Sequence, residues 1–526
     1  MSVPAARSLA RAAAVIAVLT VLARLAGFVR TAVFSRAVGP GCVGSVYQTA
    51  NTIPNIIFDI IAGGTLAALV VPVLAPAMAG GRHADVYHVV SALLTWTLVI
   101  LVPVAVLIAA LAEPIVRLLL GENVCPGAVS LGTRMLVVFS VQVVFYGIGI
   151  VLGGVLVAGE RFAWPALAPL LSSLTVIGAY LWYGALAGTG RTAEGLPRDA
   201  ELVLSVGTTL GVVVLALCQL PAVLRTRVLR WRPTLRFPDG IAPRVRVAAI
   251  AGAATLASMQ ISTAVMIRLA NDDTPTGTLV VLVLAQTVYL LPWAVLSFPI
   301  ATASFPRLAA AWEAEQHAEY RDRLATATRI VIAVSAAGAA LLIAAAVPAR
   351  VVLLAQGAHS ADQFAPAVYA FALGLVGWSL VAVLARALYA ATATAASAAA
   401  QVTGQLVVIV ADLLLSVALP AHDRAFALAL GNSIGVVVAT VALVGVAVRR
   451  GLLDVGPVGR HVATASVAAA AGALAGWAIG RRAGTSVAGA VLLGAAASVV
   501  AVLVFTGVLF VTDRDVVREL RARVSL

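Results

Sequence analysis

The sequence predicts an all-α polytopic membrane protein of about 14 transmembrane helices, with both termini in the cytoplasm. Three observations predict it. The chain is 62% hydrophobic and 11% charged, against about 45–50% and about 25% in soluble domains, so polar surface cannot enclose it and lipid must be its solvent. Its apolar runs reach about 20 residues or more and are rich in Ala, Val and Leu, which suits spanning helices rather than barrel strands. The basic residues, all of them Arg, fall mostly in the breaks between those runs.

Taken in order, the apolar runs cover about 8–38, 43–78, 86–111, 128–157, 163–187 and 201–224. After a charged break come about 246–270, 277–305, 325–347, 364–390, 397–419, 425–448, 459–480 and 484–511. Internal prolines (Pro54, Pro72, Pro165, Pro292, Pro299) mark helices that bend around a cavity. No cleavable signal peptide is expected, because the first apolar run continues into the stretch around Arg24.

Orientation follows from the loop arginines. With the N-terminus inside, Arg7, Arg11, Arg82, Arg161, the cluster Arg225–Arg246, Arg307 to Arg329, Arg449, Arg450, Arg460 and the tail Arg514 to Arg523 are cytoplasmic. The outer loops keep far fewer: Arg117, Arg191, Arg198, Arg350, Arg424, Arg481 and Arg482. The positive-inside rule therefore places both termini in the cytoplasm, which requires an even number of spans. The formal charge of +13 is a mark of topology on this reading and not of nucleic-acid binding.

The halves resemble each other. Pro72–Ala75 closes the second span as Pro306–Ala309 closes the eighth, and Glu113–Glu122 closes the third as Val347–Gly357 closes the ninth. The expected plan is two six-helix lobes in parallel repeat plus two C-terminal helices. Residues 1–224 form the first lobe, 225–246 a basic cytoplasmic linker, 247–450 the second lobe, and 451–526 the last two helices with a basic tail. Parallel repeats place a transported ligand between the lobes near the midplane.

Arg24 and Arg30 stand inside the first apolar run. A charge there costs from about 3 to more than 10 kcal/mol, so it needs a water-filled cavity or an anionic partner. Six residues apart, the two are separated by about 240° around a helix and do not share one narrow face. The planar guanidinium fork suits a phosphate or diphosphate. Asn55 and Asp59, four apart on one face of the second span, are the next candidates, with Asp59 expected to pair with Arg24 or Arg30 or to carry an ion. Arg134, Arg386 and Asp412, a lone acid in an apolar run, are candidates for the cavity or for ion coupling, whereas Arg268 is expected to snorkel beside Asp272 and Asp273. Cys42, Cys125 and Cys218 are far apart and the six His are scattered, so neither a disulfide framework nor a metal site is expected. No Walker A loop, nucleophile elbow or H-E-x-x-H is present, so neither an enzyme activity nor a cofactor is expected.

Several motifs resemble the MurJ/MviN family of lipid II flippases, within the superfamily of multidrug, oligosaccharidyl-lipid and polysaccharide exporters. They are R-x-x-G-F-x-R at Arg24–Arg30, the turn Gly39-Pro-Gly41, Ile53-Pro54-Asn55, V-P-V-L-A at Val71–Ala75, Phe298-Pro299 with Phe305–Leu308, and Leu354-Ala-Gln-Gly357. The resemblance implies a flippase of the cytoplasmic membrane that moves a polyprenyl-diphosphate-linked peptidoglycan precursor by alternating access, with Arg24 and Arg30 on the diphosphate. It also implies cell-wall synthesis proteins as partners, and membrane lipids as surroundings. The sequence departs from the family pattern at Thr31, Ser45, Phe58, Asp59, Gly63 and Gln286-Thr287, where the family carries charge. Those departures keep two other expectations open: export of another lipid-linked glycan or an amphipathic drug, and a non-transporting scaffold of wall synthesis.

Overall fold

A computed structural model of the chain describes residues 3–61, 83–121, 125–159, 161–188, 191–226, 232–235, 242–272, 274–355, 361–484 and 486–512. Gly63, the Val71–Ala75 motif, Arg82, half of the 225–246 break, Asp273 and the tail arginines lie outside them, as do the side chains of Arg7 and Arg11. Every regular element among the described residues is a helix. The chain forms two compact units, Met1–Gln260 and Ile261–Leu526.

The first unit contains α1 (Val3–Ala37), α2 (Cys42–Ile60), α3 (His83–Ala110), α4 (Ala112–Leu120), α5 (Ala128–Ser140), α6 (Gln142–Ala158), α7 (Ala163–Ala187), α8 (Arg198–Leu217) and the short α9 (Leu220–Arg225). α10 (Ala242–Asn271) carries the boundary. The second unit continues with α11 (Thr278–Pro292), a π-helical turn at Trp293–Ser297, α12 (Phe298–Glu313) and α13 (His317–Leu354). It ends with α14 (Phe364–Ala390), α15 (Thr394–Ala418), α16 (Arg424–Arg449), α17 (Val455–Gly480) and α18 (Val487–Thr512).

Among the described residues, 12 helices are long and apolar enough to cross a membrane. α2 and α10, where the second and seventh spans are expected, are not among them. α2 is polar, carrying Gln48, Asn51, Asn55 and Asp59, and the described side chains of α10 begin only at residue 255. The observed ends otherwise follow most of the apolar runs closely, except that α12 extends to Glu313 and α13 runs from His317 to Leu354, and the expected end of the second run lies outside the described residues. The first turns of α13 are charged, and an Arg323–Glu319 ion pair one turn apart supports the helix beyond its apolar stretch.

Within the first unit, α7 packs on α1 and α8, α2 on α5, and α3 on α6. Its centre is aromatic: Tyr47 is surrounded by Phe34, Phe139 and Tyr180 at ring separations of 5.0, 5.6 and 5.9 Å. Its hydroxyl lies 2.7 Å from that of Tyr180 and 2.9 Å from that of Thr208, so a phenol in an apolar core keeps its hydrogen bonds. Arg134 on α5 grips Glu201 on α8 with Nε–Oε1 at 2.9 Å and Nη2–Oε2 at 2.8 Å. Glu201 is 4% exposed, and this fork compensates its charge.

One expectation is overturned here. Cys42 and Cys125 are joined by a disulfide across 83 residues, with Cα atoms 6.3 Å apart. Spacing along the chain hid the pair. The N-terminal end of α2 lies against α5, and Cys125 sits just before α5, so packing brings the two thiols together. Cys218 alone is free.

In the second unit α14 packs against α11, α12, α13 and α16, while α15 lies along α16. The last two helices pack on each other and on α13. Small residues permit that approach: a side chain at Gly476 would meet Ala497 O at 2.8 Å, and Ala344, Ala497 and Ala501 are buried together. Close backbone contact through Gly and Ala is how helices associate where apolar burial supplies no preference over lipid. The outer faces are aliphatic, with Val417, Leu492 and Val511 at 90%, 72% and 74% exposure.

Candidate functional site

The polar residues of the first unit converge on α2. Asn51, Asn55 and Asp59 recur every four residues and form a stripe along one face. Pro54 lies within it and cannot donate a backbone hydrogen bond, which loosens the helix at that turn. Two other helices reach this stripe. Tyr146 of α6 donates its hydroxyl to Asn55 Oδ1 at 2.8 Å, and its ring lies 4.5 Å from that of Phe58. Gln260 of α10 donates from Nε2 to Asp59 Oδ2 at 3.2 Å. Asp59 therefore takes an amide and not an arginine as its partner, contrary to the expected pairing with Arg24 or Arg30. The amide reaches it from a helix 201 residues away in sequence, a neighbour that only packing supplies.

Arg30 joins this group. It is half-buried on α1, and its charge bears on the phenols of Tyr47, Tyr146 and Tyr180, as that of Asp59 does on Tyr146. Arg24 stands apart and exposed, with no ion pair to a described residue. The charges of Arg30 and Asp59 thus both bear on the Tyr146 phenol that Asn55 holds, whereas Arg24 presents open charge farther along the same helix. Asn51, whose buried Oδ1 has no hydrogen-bond partner among the described residues, and Tyr146 and Gln260 were missed in the sequence. Asn51 had a readable signal, its four-residue spacing from Asn55. The other two had none.

Arg134 is far from being an open cavity charge, since Glu201 holds it. Arg268 forms an ion pair with Asp272 at 2.7 Å, as expected of a helix-end residue. In the second unit Arg386 lies 5.1 Å above the Phe298 ring and donates to Ala382 O at 2.9 Å. Trp293 stands 5.1 Å from Phe298 and 6.1 Å from Trp378, and both indole N–H groups are buried without a hydrogen-bond partner among the described residues. The π-helical turn lies here, between Pro292 and Pro299. Such turns relieve a helix that has lost backbone donors and recur at functional positions.

Asp412 is 1% exposed in the C-terminal third of α15, and its Oδ1 has no hydrogen-bond partner among the described residues. It faces α16 at Gly431, where any Cβ would collide with that oxygen. Ser416, one turn on, likewise keeps an unpartnered buried hydroxyl. An acid in such a place must be protonated or hold a cation, because an isolated carboxylate in an apolar interior is too costly. Among the described residues no group of three or more His, Cys, Asp or Glu is arranged to hold a metal ion.

The all-helical architecture, with 12 helices among the described residues long and apolar enough to cross a membrane, defines a multi-span membrane protein. Its fold is shared with a multidrug resistance MATE family transporter of the MOP superfamily in an inward-facing conformation, at TM-score 0.66 and 16% identity over 83% of this chain and 95% of that one. The likeness is greater to a solved lipid II flippase MurJ in its inward closed conformation, at TM-score 0.75 and 15% identity over 95% and 99% of the two chains. The chain belongs to the family described as lipid II flippase MurJ, whose model matches residues 34–496. Among similar proteins, the lipid II flippase MurJ of Burkholderia cenocepacia is 26% identical over 397 residues, 73% of each chain. A probable lipid II flippase MurJ of Synechocystis sp. is 24% identical over 392 residues, 73% of this chain and 72% of its own. Family membership makes the chain a multi-pass protein of the cytoplasmic membrane.

Proposed function

We propose that this protein carries lipid II, a polyprenyl-diphosphate-linked peptidoglycan precursor, from the inner to the outer leaflet by alternating access. The observation that carries the reading is the half-buried Arg30, whose charge reaches the Tyr146 phenol bonded to Asn55 of the α2 stripe, with Arg24 presenting a second guanidinium on the same helix. The arginines neutralise the diphosphate, forming charge-assisted hydrogen bonds that a fork makes better than an ammonium. The stripe amides supply donors and acceptors to the sugars. Return is driven by the membrane potential or an ion gradient, and one charge moved through 100 mV is worth about 2.3 kcal/mol. Asp412 is the coupling residue on this reading, with Arg386 serving the bent segment at Trp293–Ser297.

One observation favours a second glycan. Phe58 stands where the family resemblance places an arginine, and it pairs with Tyr146 as an aromatic platform suited to a sugar ring. Export of a different lipid-linked glycan is therefore the second reading.

Complementation tests both. In cells depleted of their lipid II flippase, the wild-type chain restores growth, and Arg24→Ala or Arg30→Ala, at equal membrane levels, lowers the rate of lipid II appearance outside by tenfold or more. Normal flipping by both variants removes the arginines from the mechanism. No rescue by well-inserted wild-type protein passes the assignment to the second glycan.

A further inference from the structure

The second unit contains a cavity of about 250 Å³ that the transport reading does not use. It lies where the start of α13 meets the start of α17, and its wall combines Arg321 and Arg329 of α13 with His461 and Asp454. The rest of the wall is apolar, chiefly Leu453, Pro457 and Val458. We infer that this cavity binds the phosphate headgroup of an anionic phospholipid from the cytoplasmic leaflet.

Three features carry the inference. The first is charge: two arginines against one aspartate leave the wall net positive, and Arg321 is exposed and forms no ion pair with a described residue. Arg329 and His461 have interactions of their own and contribute the fixed, more buried part of the wall; His461 is 4% exposed. The second is the mixture of surfaces. Cations on one side and Leu, Pro and Val on the other match a phosphate attached to a glycerol and acyl chains better than a free anion, which needs polar groups all round. The third is place. The site adjoins Arg449, Arg450 and Arg460, on the side that the loop arginines assign to the cytoplasm, where anionic lipids concentrate and basic pockets between helices bind headgroups. The volume fits: a water occupies about 30 Å³, so the cavity holds about eight waters, enough for a phosphate and its glycerol carbons.

The test uses the full chain, purified and reconstituted in nanodiscs of phosphatidylcholine containing phosphatidylglycerol, with retained lipid counted by native mass spectrometry after release. Each basic residue beside an anionic headgroup contributes about fivefold in affinity. Arg321→Gln, which breaks no ion pair with a described residue, therefore lowers phosphatidylglycerol retention about fivefold, and Arg321→Gln with Arg329→Gln about twentyfold. Arg481→Gln with Arg482→Gln, beyond the other end of α17, leaves it unchanged. Equal loss in the two double variants, or none in Arg321→Gln, overturns the site. Displacement of the lipid by 10 mM inorganic phosphate, with phosphate itself retained, assigns the cavity to a soluble phosphate compound and overturns the lipid as its occupant.

Discussion

Arg134 and Arg30 are both arginines inside apolar spans, and the difference between them is a partner. Arg134 meets Glu201 in a two-point fork, so its charge is absorbed by the first unit's own structure. Arg30 acts on the phenols of Tyr146 and Tyr180 and has no ion pair to a described residue, which leaves a guanidinium able to accept an anion. Two substitutions separate these roles. Arg134→Leu leaves the buried Glu201 with only the longer contact to Arg198 at 3.9 Å and is expected to cost about 2 kcal/mol, less than a fully buried pair would because Arg134 is 39% exposed. The double change Arg134→Leu with Glu201→Leu recovers most of that loss, since an apolar pair of similar volume replaces the buried pair well. Thermal unfolding in detergent checks both, and a double variant as unstable as the single one removes the stranded charge as the cause.

At the scale of the helix, the second unit depends on close approach between α15 and α16. Gly431 leaves room for Asp412 Oδ1, and Gly404 and Gly435 bring the two backbones together farther along. Gly431→Ala is therefore expected to destabilise the protein by about 1–3 kcal/mol and to displace Asp412. Gly456→Ala, where a Cβ meets nothing within 4 Å, leaves the melting temperature unchanged. If Asp412 serves coupling, Asp412→Asn lowers transport driven by an imposed gradient while the melting temperature holds or rises, because a neutral amide removes a buried acid. Equal transport by Asp412→Asn and wild type in proteoliposomes assigns Asp412 a structural role. These contacts were not legible beforehand. An isolated acid in an apolar run is visible in a sequence, but the glycine facing it from another helix is not.

For the whole molecule, the disulfide and the arginine distribution make one joint prediction. Cys42 and Cys125 both fall in segments that the loop arginines place outside, where thiols can be oxidised, and Cys218 lies near the inner end of α8. In intact cells a membrane-impermeant maleimide therefore labels nothing before reduction and labels Cys42 and Cys125 after a brief impermeant reductant. Labelling of Cys218 from outside, or none after reduction, reverses the orientation. What the sequence by itself determined was the helical class, the membrane setting and most of the helix limits, because apolar length and loop charge are properties of neighbours along the chain. It also pointed to Arg30, Asn55 and Asp59, since charge and amide stand out in an apolar run. The tertiary structure alone decided that Cys42 meets Cys125, that Gln260 and Tyr146 hold the α2 stripe, that Glu201 takes Arg134, and that Arg321 and His461 share a cavity. Each is a contact between helices distant in sequence, and helix packing in a bilayer follows small-residue fit and polar pairing, which no periodicity within one helix records.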